Sequence, residues 1–244
     1  MAIDELLLNH VVEHNRIILR FYQWNEPTLS IGYFQQHADR HLHKASSACA
    51  VVRRQTGGGA ILHDHELTYS LAVPPAHPLA RDNQQLYFAV HQVIIEAMME
   101  EETSIQQLQP LTLWQKNSQY LQTEEPFLCF QRRSRGDVVF GHSNGTQHKV
   151  VGSAQRRRRG AILQHGSILL ARSPAAPELP GLTELSKIQT DAHTLTGRLQ
   201  NLLPTALAIP SNKVEVFEPT HLLESGANSL VTSKYGTETW LKRR

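Results

Sequence analysis

The chain has 244 residues, 40% of them hydrophobic, and a formal net charge of +2. This is enough to bury one large core, or one domain with a small appendage, and the near-neutral charge gives no global case for binding nucleic acid or a membrane. No apolar run is long enough to span a bilayer, and the start Met1-Ala2-Ile3-Asp4-Glu5 lacks the layout of a secretory signal. Two cysteines, Cys49 and Cys129, make no disulfide framework, so the expectation is a reduced, cytoplasmic enzyme.

Residues 2 to 14 place Ile3, Leu6, Leu7 and Val11 at helical spacing, with Asp4 and Glu5 in the first turn. Ile17 to Tyr22 reads as a strand, and Trp24-Asn25-Glu26-Pro27 turns the chain into a second β-rich run from Thr28 to Phe34. Gln35 to Ser46 reads as a short polar helix. A strand ending near Arg53 and another starting at Ala60 then flank Arg54-Gln55-Thr56-Gly57-Gly58-Gly59. Three consecutive glycines remove every Cβ at one point, so a ligand can lie on bare backbone N–H groups, and Arg53 and Arg54 bring planar, forked donors to the same place. In His63-Asp64-His65 only His63 and His65 share a strand face, and no metal site is expected.

Asn83 to Glu101 is the clearest helix, with Leu86, Phe88, Ala89, Val93, Ile94, Ala97 and Met98 as its buried stripe. Gln106 to Glu125 reads as strand and loop leading to Cys129-Phe130, where Arg132, Arg133 and Arg135 bring positive charge that favours thiolate over thiol. Asn144-Gly145 marks a hairpin between Gly136–Gly141 and Lys149–Ala154, and the run Arg156 to Arg159 turns the chain into Ala161–Leu170. Together these strands read as a meander added to the sheet that carries the glycine stretch. Lys149 is placed to direct an ammonium at a substrate oxygen, with Gly152, Ser153 and Ala154 leaving room beside it. The arginine run reads either as a solvated turn or as a docking surface for an acidic partner. Pro174, Pro177, Pro180 and Gly181 mark a linker, which divides residues 1–173 from a mainly helical extension over 174–244. In that extension, 191–203 and 219–244 read as helical and Lys213–Phe217 as a short strand.

The segments Arg53–Ala60 with His63-Asp64, Lys149–Gln155 and Gln164–Leu170, together with Trp24–Phe34, resemble the lipoate–protein ligase and octanoyltransferase superfamily. The resemblance runs from about residue 2 to residue 172, in order. It implies an α/β (α+β) catalytic domain, a mixed β-sheet with flanking helices, of the type also found in biotin–protein ligases. Members normally begin with a strand just upstream of the segment matched by Ala2–Glu5, so the expectation is a missing or differently assigned edge strand at the start.

Cys129-Phe130 resembles the nucleophile of the cysteine-dependent transferase branch, which implies Cys129 and Lys149 as catalytic residues. Arg54, Thr56, Gly57, Gly58, Gly59, His63, Tyr69, Gly152, Ser153, Ala154, His165 and Gly166 are then implied at the substrate. The implied reaction moves an octanoyl group from an acyl carrier protein thioester, through acyl-Cys129, to a lysine of a lipoyl domain, as in a glycine cleavage H protein or a 2-oxoacid dehydrogenase. It needs no cofactor. ATP and Mg enter only in the alternatives, where the chain is an ATP-dependent lipoate ligase; a third option is an amidotransferase acting between carrier domains. His165 is expected either to orient Lys149 or to be a satisfied structural histidine. Burying about seven carbons of the acyl chain at ~0.8 kcal/mol each is worth roughly 5–6 kcal/mol before ordering costs.

Overall fold

The computed structural model describes residues 1–99, 111–115, 125–187, 189–216 and 221–243. Its centre is a six-stranded, wholly antiparallel sheet in the order β1-β5-β9-β8-β7-β6. The strands are β1 (Ile18–Tyr22), β5 (Glu66–Val73), β6 (Leu111–Leu113), β7 (Val138–Gly141), β8 (Gln147–Arg158) and β9 (Ala161–Leu169). Beside it lies a three-stranded sheet, β3-β2-β4, from β2 (Thr28–Ile31), β3 (Ala50–Arg53) and β4 (Ile61–His63). The strands flanking the glycine stretch therefore belong to their own small sheet. The β7–β9 meander instead pairs with β5 and β1, which corrects the expectation of one continuous sheet. The register explains why: all eight residues of β5 pair with β9, leaving β4 to pair with β2.

Alternation in β5 sorts the two faces of the large sheet. Leu67, Tyr69, Leu71 and Val73 enter the main core, whereas Glu66, Thr68 and Ser70 point the other way and are also buried. Helix α2 (Asn83–Met99) covers the first face, its start capped by Asp82 Oδ1, which accepts from the N–H groups of Gln84 and Gln85 at 2.8 and 3.1 Å. Its buried stripe is Leu86, Val90, Val93, Ile94, Ile95, Ala97 and Met98, with the polar His91 among them, while Phe88 and Ala89 are half-buried. Helix α1 (Ala2–His14) covers part of the opposite face, setting Leu7, Leu8 and Val11 against Ala72, Ala161 and Leu163. β1 forms the edge of the sheet next to β5.

Beyond residue 173, Leu182, Leu195, Leu199, Leu203 and Leu207 join the same main core, four of them carried on α3 (Leu182–Ser186) and α4 (Ala192–Ala206). The expected strand at Lys213–Phe217 is absent among the described residues. Ser211–Lys213 is a 3-10 turn, and Val214 and Val216, 50% and 88% exposed, have no strand to pair with; Phe217 lies outside the described residues. The expected helix over 219–244 is broken into α5 (His221–Leu230), a π-turn at Val231–Tyr235 and α6 (Glu238–Leu241). Gln35–Ser46 is two 3-10 turns, His37–Leu42 and Lys44–Ser46. Of the segment 106–125, only Leu111–Gln115 and Glu125 are described.

Candidate active site

Cys129 opens a 3-10 turn, Cys129–Gln131, whose neighbours Leu128 and Phe130 are buried and anchor it. The turn is pinned to the end of the glycine loop: the Ala60 N–H donates to Phe127 O at 2.9 Å, and the Cys129 N–H donates to Ala60 O at 2.7 Å. A Cβ at Gly59 would lie 3.0 Å from the Cys129 nitrogen and 2.7 Å from Arg132 Nε. The bare backbone at Gly59 thus serves close approach of the Cys129 turn.

The register of β8 shifts between Val138 and Val139 of β7, which face Val151 and Lys149. This bulge sends Val150 and Val151 together into the main core and turns Lys149 and Gly152 onto the opposite face. Plain alternation would have put Lys149 with Val151. The Lys149 side chain then lies across Gly152, where a Cβ would sit 2.2 Å from Cε and 2.7 Å from Nζ. Its ammonium, almost fully buried, donates to Asp137 Oδ2 at 2.8 Å and to Cys129 Sγ at 3.6 Å. Burial works against the charged form, but the Cys129 sulfur and the Asp137 carboxylate outweigh it and raise the Lys149 pKa above its ordinary value of 10.5. The arginines expected to charge this cysteine are engaged elsewhere. Arg132 donates to Pro126 O and Glu125, Arg133 to Phe130 O and Gln147 O, and Arg135 to Gln115. Lys149 is the cation that touches the thiol.

Asp137 was not singled out from the sequence. It accepts from the Ser134 N–H at 2.7 Å and from the Tyr87 hydroxyl at 2.5 Å, so α2 holds the carboxylate that holds the lysine. One turn along α2, His91 Nδ1 donates to Gly136 O at 2.7 Å; Nε2, 2.6 Å from Ser153 Oγ, must then accept the hydroxyl proton. Ser153 Oγ lies 2.6 Å from Tyr69 OH, which accepts from Gln164 Nε2 at 2.8 Å. Burial pushes the His91 pKa down to about 4, which keeps the ring neutral, and pushes the Tyr69 pKa up to about 12. The only signal for this network in the sequence is a helix pair, Tyr87 and His91, at i,i+4 on an otherwise apolar stripe.

The remaining expected site residues divide between the faces of the sheet. Tyr69, Ser153 and Gly166 lie in register on the α2 side, behind the Cys129–Lys149 pair. His165, with Ala154 opposite it, lies on the same face as Lys149. Of the readings weighed for His165, the geometry fits the satisfied structural histidine and not an orienter of Lys149. His165 Nδ1 bonds the buried Asp4 Oδ2 at 2.9 Å, and Nε2 lies 2.6 Å from Thr56 Oγ1, so it anchors the glycine loop to α1 while Asp137 orients the lysine. His63 is bound to Glu66 at 2.6 Å and stacks on Trp24 with ring centroids 4.3 Å apart. Arg54, 1% exposed, lies beneath the loop rather than facing a ligand, donating to Ser30 O, Gly57 O and Gly59 O at 2.7 Å each. Arg53 donates to Gly32 O, Tyr33 O and Gln35 O and, through Nε, to Leu241 O at 2.9 Å, while Trp240 Nε1 returns a bond to Arg53 O at 2.9 Å. Gly57 and Gly58 form the outer part of the loop, with the Phe34 ring beside Gly57. Among the described residues no three His, Cys, Asp or Glu side chains gather as a metal site, and no helix is long and apolar enough to cross a membrane.

A thiol, an ammonium in contact with it and a carboxylate fixing the ammonium are the groups that nucleophilic acyl chemistry calls for. Known proteins carry a similar sequence. The chain is 32% identical over 270 aligned positions to octanoyltransferase LipM of Macrococcus caseolyticus, covering all of this chain and 94% of that protein. It is 39% identical over 174 positions to octanoyltransferase LipM of Staphylococcus aureus, covering 69% of this chain and 60% of that protein's length. In fold it resembles lipoate-protein ligase A bound with ATP, with a TM-score of 0.71 at 22% identity over 99% of this chain and 92% of that one. It also resembles a bi-partite lipoate protein ligase from Thermoplasma acidophilum, with a TM-score of 0.67 at 20% identity over 99% and 89% of the two chains. Residues 1–179 match the lipoyl protein ligase A/B catalytic domain, and the chain belongs to that family.

Proposed function

We propose that the protein is an octanoyltransferase that carries an octanoyl group on Cys129, taking it from a carrier-protein thioester and giving it to a lysine of a lipoyl domain. The observation that carries this reading is the 3.6 Å contact between Cys129 Sγ and the Lys149 ammonium, itself fixed by Asp137 at 2.8 Å. Relatives named octanoyltransferase support the acyl group and the reaction class. In the first step the Cys129 sulfur attacks the thioester carbonyl. A new C–S bond forms, the donor's C–S bond breaks, and the donor sulfur takes up the proton that Cys129 gave to its surroundings. The ammonium of Lys149 steadies charge on the carbonyl oxygen and on the sulfur. In the second step the amine of the acceptor lysine attacks acyl-Cys129. The C–N bond forms, the C–S bond breaks, and a proton from the nitrogen returns to sulfur.

No ATP is needed, because the incoming thioester is already activated. Both cysteines are free thiols, which suits a reduced, cytoplasmic setting. The test is intact mass after mixing the protein with octanoyl-loaded acyl carrier protein without ATP. We expect one octanoyl adduct, absent from Cys129→Ala and chased onto an added lipoyl domain. Full transfer by Cys129→Ala, or transfer only with free octanoate and ATP, would overturn the mechanism.

A further inference from the structure

The run Arg156–Arg159 takes no part in the chemistry above, yet two of its members are tied down. Arg158 pairs with Glu5 at 3.3 Å, and Arg157 donates to Asn83 Oδ1 at 2.5 Å. Arg156 is different. It faces the same side of β8 as Lys149, Gly152 and Ala154, because it pairs with Leu163, which packs on α1. Its guanidinium lies 5.5 Å from the centre of the Tyr33 ring, and Arg243, from the far end of the chain, lies 4.0 Å from the same ring. Among the described residues neither arginine has a carboxylate partner. Beside them Phe34 is 64% exposed, its ring next to Gly57 of the glycine loop. Two cations and an exposed aromatic thus gather at one rim of the site.

We infer that Arg156 and Arg243, with Phe34, form the docking surface for the acidic carrier protein that delivers the acyl thioester. This rests on the transferase reading above. Four residues of extended strand separate Arg156 from Gly152, over which the Lys149 ammonium lies, a span of about 13 Å. The acceptor's lysine reaches only about 6 Å from its Cα by covalent geometry, so the lipoyl domain must sit nearer to Cys129. A donor whose acyl group hangs on a long arm joined through a phosphodiester fits the longer span. Two guanidinium forks at its base match phosphate and carboxylate oxygens. Ala154, small and half-buried on the same face, lies between Arg156 and the Lys149-covered Gly152.

The experiment compares two donors, octanoyl-carrier protein and the small thioester octanoyl-N-acetylcysteamine, on wild type, Arg156→Glu, Arg243→Glu and the pair. Arg16→Glu, paired with Glu215 and distant in sequence, controls for the change in net charge of either single variant. We expect the pair to raise KM for the carrier-borne donor by about 10–100-fold at low salt, with the effect shrinking at 0.5 M salt. The rate with the small thioester should stay at wild type, and Arg16→Glu should change neither. Equal losses with both donors, no loss with either, the same loss in Arg16→Glu, or a rise confined to the acceptor's KM would each overturn the assignment. If wild-type Cys129 is not acylated by either donor, the transferase reading itself fails, and that control reports it separately.

Discussion

Gly152→Ala isolates the Lys149 position without touching a reacting atom. The added Cβ would lie 2.2 Å from Lys149 Cε and 2.7 Å from Nζ. Carbon atoms rest at about 3.5–4.0 Å from one another, so Cε has to retreat by more than about 1 Å. The ammonium cannot then keep both its 2.8 Å bond to Asp137 and its 3.6 Å contact with Cys129. Because the group in the way is the end of a flexible side chain and not a strand, the fold should absorb the change for less than about 3 kcal/mol. The reaction should not. Loss of one preorganised donor typically costs ~10²–10³ in rate, so single-turnover acylation of Cys129 should fall by about that factor. A folded Gly152→Ala protein that acylates like wild type would show that the bulge does not set the lysine, and the account of the site would fail.

Asp137→Asn removes the carboxylate while keeping its shape. It should slow acylation by about 100-fold and cost ~3 kcal/mol in urea unfolding, because a buried ammonium is left with one partner fewer; unchanged acylation would mean that Cys129 alone positions Lys149. His91 gives a pH test of stability. Its folded pKa, about 4, lies below its ordinary 6.5, so the neutral form is favoured in the fold. Its contribution is complete above pH 6.5 and is lost as pH falls toward 4, for a total of ~3 kcal/mol. Urea unfolding of wild type and His91→Gln at pH 7.5 and 5 should therefore converge at the lower pH, and a constant difference between them would refute the assignment.

The Cys129 turn, the lysine beside it and the glycine loop were legible in the sequence because each is a local signature: Cys129-Phe130, Lys149 ahead of Gly152-Ser153-Ala154, and Gly57-Gly58-Gly59. What joins them was not. Asp137 reads as one more polar residue before a strand, and its role depends on a bulge that alternation does not reveal. His91 is hidden on a helix stripe whose other members are apolar. The arginines at 53, 54 and 132–135 misled for the opposite reason. Their charge was conspicuous, but most of their donors are spent on backbone carbonyls that only the tertiary fold brings within reach. The expected strand near Lys213 shows the same limit. Val214 and Val216 alternate as a strand should, yet among the described residues no strand pairs with them.

The bonds between Arg53 and the segment at Trp240 and Leu241 join positions 187 and 188 residues apart. During synthesis the chain emerges from its N-terminal end, and the loop of three glycines is outside the ribosome long before Trp240 is made. Until then Arg53 has its bonds to Gly32, Tyr33 and Gln35 but not the two that tie it to Trp240 and Leu241. Nascent chains short of residue 240 should therefore carry the glycine loop without the far-side brace on Arg53, and that brace closes only as Trp240 and Leu241 dock.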